Sequence, residues 1–287
     1  MVVEAHSGKV FLAQNSGVKR PVASLTKICT GVIATDWAIA TNQDLKKVIA
    51  TVPESVTRVG GANPLNLQPG QKISLSDALY AALLASDNLS AMTIADHIGR
   101  DMSNRRGKQE DPVWHFVKEM NELARTLGMR DTRFMNPHGL ELPKQQGFST
   151  AADMAKLSIY AMRRPAFAFF VRQKSRTISV AGKSYNLTTT NQLLGEAGIL
   201  GIKTGQTNAA GPCLATSMEK DPLVRTKPDG SKGATPRRMI VVLLNSPDRF
   251  GRTRSLLASG WRGYDQWIAA GGTVQDPKRE ILPVPKF

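Results

Sequence analysis

Hydrophobic residues between positions 20 and 40 recur at the three-, four- and seven-residue steps of an α-helix. The recurring positions are Leu25, Ile28, Val32 and Ile39. This spacing predicts a helix that buries one apolar stripe. The proline and serine at the start of the segment suit the first turn of such a helix.

The pattern elsewhere predicts strands at both ends of the chain and helices between them. Residues 2–13 alternate around a His-Ser-Gly-Lys turn and predict a β-hairpin. Residues 41 to about 168 are predicted to be helical with loops between, and 51–70, rich in Gly and Pro, is expected to be irregular. The predicted helices of this region are one that begins at Ser74, one over 113–128 and one over 149–162, stopped by Pro165.

Short β-type runs follow, punctuated by Gly, Pro and Asn, at 177–180, 184–190, 201–203, 211–217 and 239–244. A final helix is predicted over 252–270, and the basic segment 220–238 is interpreted as a solvated hairpin connection. We therefore predict an α/β fold of the α+β type. It has an antiparallel sheet formed by the N- and C-terminal parts, flanking helices, and a helical insertion at about 41–168. Residues 1–270 are expected to form this single domain and 271–287 a C-terminal tail.

The composition and net charge of the chain limit the kinds of partner that it can bind. A chain of 287 residues with 41% hydrophobic content can bury a sizeable core. The net charge of +15 favours polyanionic partners, which include nucleic acid, anionic lipid and an anionic cell wall. Nucleic acid is disfavoured because aromatics are only 6%, no recognition motif occurs and the basic residues are scattered. The two cysteines, Cys29 and Cys213, are interpreted as buried thiols, although one disulfide is conceivable.

Neither a membrane-spanning apolar run nor a leader peptide is visible in the sequence. Because Met1 runs directly into a strand-like segment, we expect a form whose leader is missing.

Ser24 and Lys27 lie three residues apart at the start of the first predicted helix, so their side chains are neighbours on one face. Gly31, one turn further on, is expected to leave room beside them. In a dry site, burial and a second cation lower the pKa of an amine, and the neutral amine can then accept the proton of a hydroxyl. Lowering a lysine pKa to near 7 costs roughly 4 kcal/mol, so this helix must lie inside a folded domain.

The same Ser-x-x-Lys spacing occurs at Ser16/Lys19 and Ser217/Lys220. Neither of these pairs opens an amphipathic helix with an apolar continuation. Position, rather than spacing alone, therefore favours a catalytic role for the pair at residues 24 and 27 over the alternative of a chance match between two common residue types.

Two further motifs carry polar side chains. Ser86-Asp87-Asn88 follows a predicted helix, where a bend would turn a hydroxyl and an amide outward; the alternative is a polar turn that caps the next helix. A Lys-Thr-Gly motif at residues 203–205 lies on a predicted strand. There a cation and a hydroxyl can bind a carboxylate, and the missing side chain of Gly205 lets a ligand backbone approach; the alternative is an ordinary strand end.

The order of the three motifs resembles that of penicillin-binding proteins and class A β-lactamases. The chain is similar to serine D-alanyl-D-alanine carboxypeptidases of the low-molecular-mass penicillin-binding type, and the resemblance implies a DD-peptidase/β-lactamase-like fold. Leu89 and Ser90 stand where family members often have Asp and Ala. The resemblance covers nearly the whole chain and rests on the segments PVASLTKICTG, FVKEMNELARTLGMRDTRFMNPHGL, FSTAADMAKLS, GIKTGQTNAAGPCLATS and NSPDRFGRTRSLLASGWRGYDQW.

The resemblance implies acyl transfer on a peptidoglycan stem peptide. Ser24 would attack the carbonyl between two terminal D-alanines, with Lys27 as its base. Ser86, helped by Lys203, would carry the proton to the departing D-alanine. Asn88 would hold the lysine base and the substrate amide.

The same resemblance implies how the substrate is bound. The free carboxylate would meet Lys203 and Thr204, with Arg252 as a further candidate, and the N–H groups of Ser24 and Gln206 would form the oxyanion hole. β-Lactams are expected as covalent inhibitors, and an anionic wall or membrane surface as a further partner. An extracytoplasmic location is implied, and no cofactor is expected.

The sequence leaves three rival functions open. A β-lactamase would need a Glu-x-x-Leu-Asn element after the Ser-Asp-Asn loop, and neither Glu119 nor Glu122 fits that pattern. The second rival is an endopeptidase acting on cross-links, and the third is a non-catalytic penicillin-sensing or wall-binding protein. The four histidines form neither a Ser-His-Asp elbow motif nor a His-Glu-x-x-His zinc motif, so no metal is expected; His138 is interpreted as shaping a loop.

Overall fold

The structure is a computed structural model that describes residues 1–107, 109–141, 146–196, 198–226 and 230–274. In chain order its first strands and helices are β1 (Val2–Glu4), β2 (Val10–Leu12), α1 (Thr26–Ala40), β3 (Ile49–Thr51), β4 (Lys72–Ser74), α2 (Leu75–Leu83), α3 (Asn88–Arg105) and α4 (Pro112–Thr126). The remaining ones are α5 (Ala151–Met162), α6 (Pro165–Val171), β5 (Ser175–Val180), β6 (Lys183–Thr188), β7 (Ile199–Thr207), β8 (Gly211–Thr226), β9 (Lys232–Leu243) and α7 (Arg249–Ala269).

The main sheet has five antiparallel strands in the order β2-β1-β9-β8-β7. The N-terminal hairpin joins the last strand directly, with Val3 opposite Ile240. The prediction of one sheet built from both ends of the chain is therefore confirmed. Among the described residues β7 forms an outer edge of this sheet, with a neighbouring strand on one side of its backbone only.

Helix α1 lies at the centre of the molecule and contacts five other helices and β7. Every residue from 26 to 38 is buried, whereas Ile39 is 52% exposed. The prediction of a single buried stripe that includes Ile39 is therefore wrong, because a helix enclosed on all sides buries its polar residues too. Gly31 leaves room for the ring of Phe167 and the side chain of Leu83 rather than for Ser24 and Lys27.

The buried carboxylate of Asp36 on α1 is paired with groups on α5 and at the start of α6. The Asp36 carboxylate accepts a 2.6 Å hydrogen bond from the Tyr160 hydroxyl, and its other oxygen lies 3.2 Å from Arg164 Nε. A buried carboxylate without such partners would be strongly unfavourable. The contact therefore ties the central helix to the layer that packs on the sheet.

The insertion between residues 41 and 168 is helical, as predicted, but it also contains the small β3–β4 hairpin. Strands of three residues are too short to leave an alternating pattern in the sequence. Ser74 caps α2 as expected, with its hydroxyl accepting from Asp77 N at 3.0 Å. Pro165 ends the preceding helix but also begins α6, because proline is tolerated in the first turn of a helix.

The last strands of the sheet are longer than predicted. The segment 220–238, interpreted as a solvated connection, is largely paired strand, with Leu223 opposite Thr235 and Thr226 opposite Lys232. Its residues are mostly exposed, so the hydrophobic alternation of a half-buried strand is missing. The strands β5 and β6 form a separate two-stranded sheet within the part of the chain that the structure describes.

Within the described ranges, no helix combines the length and the apolar character that crossing a bilayer requires. Cys29 and Cys213 are both buried free thiols, which confirms their interpretation. Of the predicted tail at 271–287, only 271–274 lies within the described residues.

Candidate active site

Ser24 lies in a 3₁₀ turn, Ala23–Leu25, that leads directly into α1. Lys27 lies in the first turn of that helix and is fully buried. Its Nζ atom is 2.9 Å from Ser24 Oγ. The predicted neighbourhood of the two side chains is therefore observed, although the α-helix begins only at Thr26, after the serine.

Two further oxygen atoms surround the amine of Lys27. It donates to Asn88 Oδ1 at 2.6 Å and to the carbonyl oxygen of His138 at 2.9 Å. Asn88 is held in turn, because its Nδ2 atom donates to the Gly60 carbonyl at 3.0 Å. The lysine is thus fixed by two segments that are far from it in the sequence.

The loop that carries His138 packs closely on the turn that carries the serine. Gly139 has φ +90°, and a Cβ atom on it would lie 1.9 Å from the carbonyl oxygen of Ala23. Only glycine permits this approach. The His138 ring shapes the loop, as predicted, because Leu140 N donates to its Nδ1 at 3.2 Å.

Ser86 and Lys203 form a second polar pair beside the first. Lys203 Nζ donates to Ser86 Oγ and to the Thr204 carbonyl, each at 3.0 Å, and Lys203 is 1% exposed. Ser86 has φ +64°, a conformation that is uncommon outside glycine and that turns the chain sharply between α2 and α3. Asp87 caps α3 through a 2.7 Å bond from Ser90 N. Asp87 therefore caps the next helix, as the alternative interpretation of the motif proposed. Its neighbours Ser86 and Asn88 instead contact Lys203 and Lys27 respectively.

Gly205 brings β7 against the serine turn. A Cβ atom at this position would lie 3.0 Å from Ser24 N and 3.1 Å from Leu25 N and the Val22 carbonyl. The sequence predicts that the missing side chain admits a ligand backbone, but the space is occupied by the protein's own turn. Gln206, the next residue, is exposed.

The two arginines near this region differ in position. Arg249 Nη1 donates to the Gly205 carbonyl at 2.9 Å. Arg252 instead lines a separate pocket with Leu12, Val18 and Leu256, and no predicted site residue other than Arg252 lines that pocket. The structure therefore does not bring Arg252 to the cluster, and the arginine three residues earlier contacts the motif strand.

Burial and neighbouring cations lower the pKa of both Lys27 and Lys203. Burial lowers the pKa of Lys27 well below its usual range, the Lys203 cation lowers it further, and Asp87 opposes the change. Burial, with a smaller contribution from the Arg249 cation, lowers the pKa of Lys203 to about 7. The ring of His138 stays neutral, because burial and the charge of Lys27 lower its pKa to about 3.

Sequence reasoning missed several contacts of the site. The Thr204 hydroxyl lies 2.5 Å from the hydroxyl of Thr190, in the segment between β6 and β7. The carbonyl of His138, the carbonyl of Gly60 and Arg249 were missed too. A backbone carbonyl has no signature in the sequence, so only Arg249 and Thr190 could have been proposed from residue type.

Similarity to known proteins identifies the family of this chain. Residues 1–225 match the family D-alanyl-D-alanine carboxypeptidase, peptidase S11. The chain belongs to this family. A D-alanyl-D-alanine endopeptidase of Escherichia coli K12 is 31% identical over 218 residues, which are 75% of this chain and 64% of that protein. One from Pseudomonas aeruginosa is 30% identical over 232 residues, 78% of this chain and 68% of that protein.

A Bacillus subtilis D-alanyl-D-alanine carboxypeptidase, DacF, is 28% identical over 222 residues, 77% of this chain and 53% of that protein. This chain therefore spans about half to two thirds of these relatives. Penicillin-binding protein D2 of Listeria monocytogenes, in its ampicillin-bound form, superposes with a TM-score of 0.71 at 26% identity and covers 91% of this chain and 95% of its own. The Streptomyces K15 DD-transpeptidase shares the fold, with a TM-score of 0.74 at 23% identity, covering 91% and 95% of the two chains.

The contacts of Glu119 and Glu122 bear on the alternative that the protein is a β-lactamase. Glu119 accepts a 2.6 Å hydrogen bond from Arg106, and Glu122 forms a surface ion pair with Arg125. Both carboxylates lie on α4, and neither has a described contact with the serine or the two lysines. Among the described residues, therefore, no carboxylate of α4 is bonded to Ser24.

Proposed function

We propose that this protein is a serine-type D-alanyl-D-alanine carboxypeptidase that removes the terminal D-alanine from peptidoglycan stem peptides through an acyl-enzyme. The observation that carries the proposal is the environment of Lys27 Nζ, with Ser24 Oγ at 2.9 Å and two carbonyl-type oxygens within 2.9 Å. Membership of the carboxypeptidase family supports it.

Burial of Lys27 and the neighbouring Lys203 cation lower the pKa of its amine and so favour the neutral form that a base requires. The carbonyl of His138 and the Oδ1 of Asn88 can only accept hydrogen bonds. They therefore take up the two hydrogens of a neutral amine. The remaining lone pair then lies toward the Ser24 hydroxyl, and the lowered pKa of Lys27 favours this neutral form.

The reaction then follows from the positions of these groups. Ser24 Oγ forms a bond to the carbonyl carbon of the penultimate D-alanine while its proton passes to Lys27. The oxyanion accepts from the backbone N–H groups of Ser24 and Gln206, and one such donor is typically worth about 3 to 4 kcal/mol. The C–N bond breaks as Ser86, polarised by Lys203 at 3.0 Å, hands its proton to the leaving amine and receives in exchange the proton that Lys27 took from Ser24. Water then hydrolyses the ester.

Recognition of the free carboxylate falls to the Lys-Thr-Gly strand. Lys203 supplies the cation and Thr204 a hydroxyl, which Thr190 orients at 2.5 Å. Arg249 adds positive charge next to Gly205 and replaces Arg252 in this role. A terminus that is a carboxylate is thereby preferred over an amide.

β-Lactams mimic the substrate and are expected to acylate Ser24. The ampicillin-bound form of the Listeria protein, which shares 26% identity and the fold, supports this expectation. Because neither Glu119 nor Glu122 on α4 has a described contact with Ser24, the penicilloyl ester should leave slowly. A wall-facing, extracytoplasmic location follows from such a substrate, and the charge of +15 suits an anionic wall or membrane surface.

Two assays test the proposal. Peptide mapping after reaction with a fluorescent penicillin should find one adduct, on Ser24, and Ser24→Ala should not be labelled. A peptide ending in D-Ala-D-Ala should lose one D-alanine, and its C-terminal amide should react far more slowly. Rapid turnover of penicillin with an intact peptide would contradict the proposal.

A cross-linked stem-peptide dimer measures the endopeptidase reaction named for two of the relatives, which would use the same acyl-enzyme. Cleavage of the dimer without release of D-alanine from the monomer would replace carboxypeptidase by endopeptidase.

A further inference from the structure

Asp87 is a buried acidic residue between two residues that contact the lysines of the site. Its neighbour Ser86 accepts a hydrogen bond from Lys203 Nζ at 3.0 Å, and its other neighbour, Asn88, accepts one from Lys27 Nζ at 2.6 Å. Asp87 itself is 0% exposed. The proposed reaction gives a role to the serine and the asparagine of this motif and none to the aspartate between them.

Backbone amides from two segments hold the Asp87 carboxylate in place. Its Oδ1 atom accepts from Ser90 N at 2.7 Å, and its Oδ2 atom accepts from Leu65 N at 3.2 Å, in the segment between β3 and β4. The same segment holds Asn88, whose side chain donates to the Gly60 carbonyl. Burying a carboxylate is costly unless hydrogen bonds compensate it. The two amide donors provide this compensation and fix the carboxylate next to the residue that bonds the lysine.

The charges around the amine of Lys27 act in opposite directions. Burial and the Lys203 cation on β7 lower its pKa, whereas the charge of Asp87 raises it. The His138 ring, in the loop on the other side, carries no charge near neutral pH, because its pKa is lowered to about 3. The Arg249 cation acts on Lys203. Among the described residues, Asp87 is therefore the acid whose charge offsets the cation beside this amine.

Acylation places a second positive charge in this buried site. When Lys27 takes the proton of Ser24, its amine becomes an ammonium, while Lys203 has to stay charged to bind the carboxylate of the substrate. Two cations repel each other more strongly in a buried site than in water. A carboxylate fixed nearby lowers the energy of this state, so its charge matters most at the step in which the proton moves.

We propose that Asp87 is the counter-charge of the Lys27 amine and stabilises the ammonium that forms as Ser24 is acylated. This inference rests on the proposed function and deepens it, because it assigns a further residue to the same reaction. Asp87 acts through Lys27 and is therefore a positioning residue rather than a catalytic one.

The variant Asp87→Asn removes the charge and keeps a side-chain oxygen that can cap α3, because asparagine and aspartate cap helices about equally well. The test is the pH profile of acylation by a penicillin, whose rising limb follows the loss of the Lys27 proton. This limb should move to lower pH, because loss of the Asp87 charge lowers the pKa of Lys27. The rate at the optimum should fall by about three- to tenfold, since the base is weaker and its ammonium is less stabilised.

The falling limb and a control variant separate this role from a structural one. The falling limb reports loss of the Lys203 proton near pH 7 and should not move, because burial and Arg249 set that pKa. A purely structural role would lower the rate at every pH and move neither limb. Asp96→Asn is the matched control, because Asp96 lies on the same helix with its carboxylate bonded to Arg100. This control should keep the wild-type profile.

A second pair of variants makes the test independent of the folding of Asp87→Asn. Asp87→Glu and Asp87→Gln introduce side chains of equal length, which disturb the cap alike and differ in charge. The rising limb of the glutamate variant should lie at higher pH than that of the glutamine variant. Urea unfolding at pH 8 confirms that the compared proteins are folded.

A rising limb that Asp87→Asn leaves unmoved or moves to higher pH, or equal rising limbs in Asp87→Glu and Asp87→Gln, would overturn this inference and leave the proposed function standing. A wild-type protein in which penicillin does not label Ser24 would instead refute the proposed function.

Discussion

Replacing Lys203 with methionine is expected to make the protein more stable near neutral pH while it removes substrate binding. Lys203 is 1% exposed, and burial lowers its pKa from an ordinary value of 10.5 to about 7. Each pKa unit corresponds to about 1.4 kcal/mol, so keeping the charged lysine in this site costs on the order of 5 kcal/mol. Methionine has a similar length and carries no charge.

The gain is smaller than this cost, because methionine also loses two hydrogen bonds. Lys203 donates to Ser86 Oγ and to the Thr204 carbonyl. Each such bond contributes about 1 kcal/mol. The free energy of unfolding of the variant at pH 7 should therefore exceed that of the wild type by about 2 to 3 kcal/mol, which raises Tm by roughly 5 to 10 °C for a chain of this size.

The stability advantage of the variant over the wild type should decrease as pH rises. The unfolded chain holds its lysine proton up to about pH 10.5, whereas the folded chain releases it near pH 7. Wild-type stability therefore rises with pH across this window, because the unfolded state binds more protons. The penalty is complete below pH 7 and absent above 10.5. At the alkaline end only the lost hydrogen bonds remain, and the variant should become the less stable protein.

Urea unfolding of both proteins at pH 6.5, 8.5 and 10 measures this change. A difference in unfolding free energy that is the same at all three values would refute the reasoning, because it would mean that Lys203 is not desolvated. Penicillin acylation provides a second readout. Loss of the Lys203 cation removes a contribution that lowers the pKa of Lys27, so the rising limb of the pH profile should move to higher pH.

Two further substitutions test the site. Lys27→Arg should acylate with penicillin about 10²- to 10⁴-fold more slowly although it keeps the charge, because a guanidinium cannot accept the serine proton; a rate within a few-fold of the wild type would make Lys27 a structural partner only. Gly139→Ala should lose about 1 to 3 kcal/mol of stability in urea and much of its acylation rate, because the new Cβ atom would lie 1.9 Å from the Ala23 carbonyl at φ +90°. Gly128→Ala is the matched control, since Gly128 also has a positive φ but nothing within 4 Å of a Cβ atom; equal acylation by the two variants would contradict the role of the loop contact.

Much of the candidate site could be predicted from the sequence, because its contacts are local or carried by residue type. The spacing of Ser24 and Lys27 alone makes them neighbours on a helical turn, and the structure has them 2.9 Å apart. The helix start at Ser74 was recognisable for the same reason, since a capping hydroxyl acts within three residues. The strands at both chain ends indicated a shared sheet.

Other features were decided only by packing between distant segments. The carbonyl of His138 lies 111 residues from Lys27 along the chain, yet it is one of the atoms that fix the amine. The complete burial of α1 likewise follows from neighbours on every side, which an apolar stripe cannot reveal. Only the folded structure shows that the absent side chain of Gly205 makes room for the protein's own turn rather than for a ligand.

Which of Arg249 and Arg252 lies near the Lys-Thr-Gly strand was also decided by the tertiary structure. Both arginines lie near the start of α7, and residue type cannot distinguish them. Residues three apart in a helix lie on neighbouring parts of its surface, yet the docking of this helix against the sheet brings the first to the Gly205 carbonyl and the second to a different pocket. The sequence determined which chemical groups the protein possesses and which of them are neighbours along a turn. The tertiary structure decided which of them meet, because that depends on how buried surfaces from remote segments fit together.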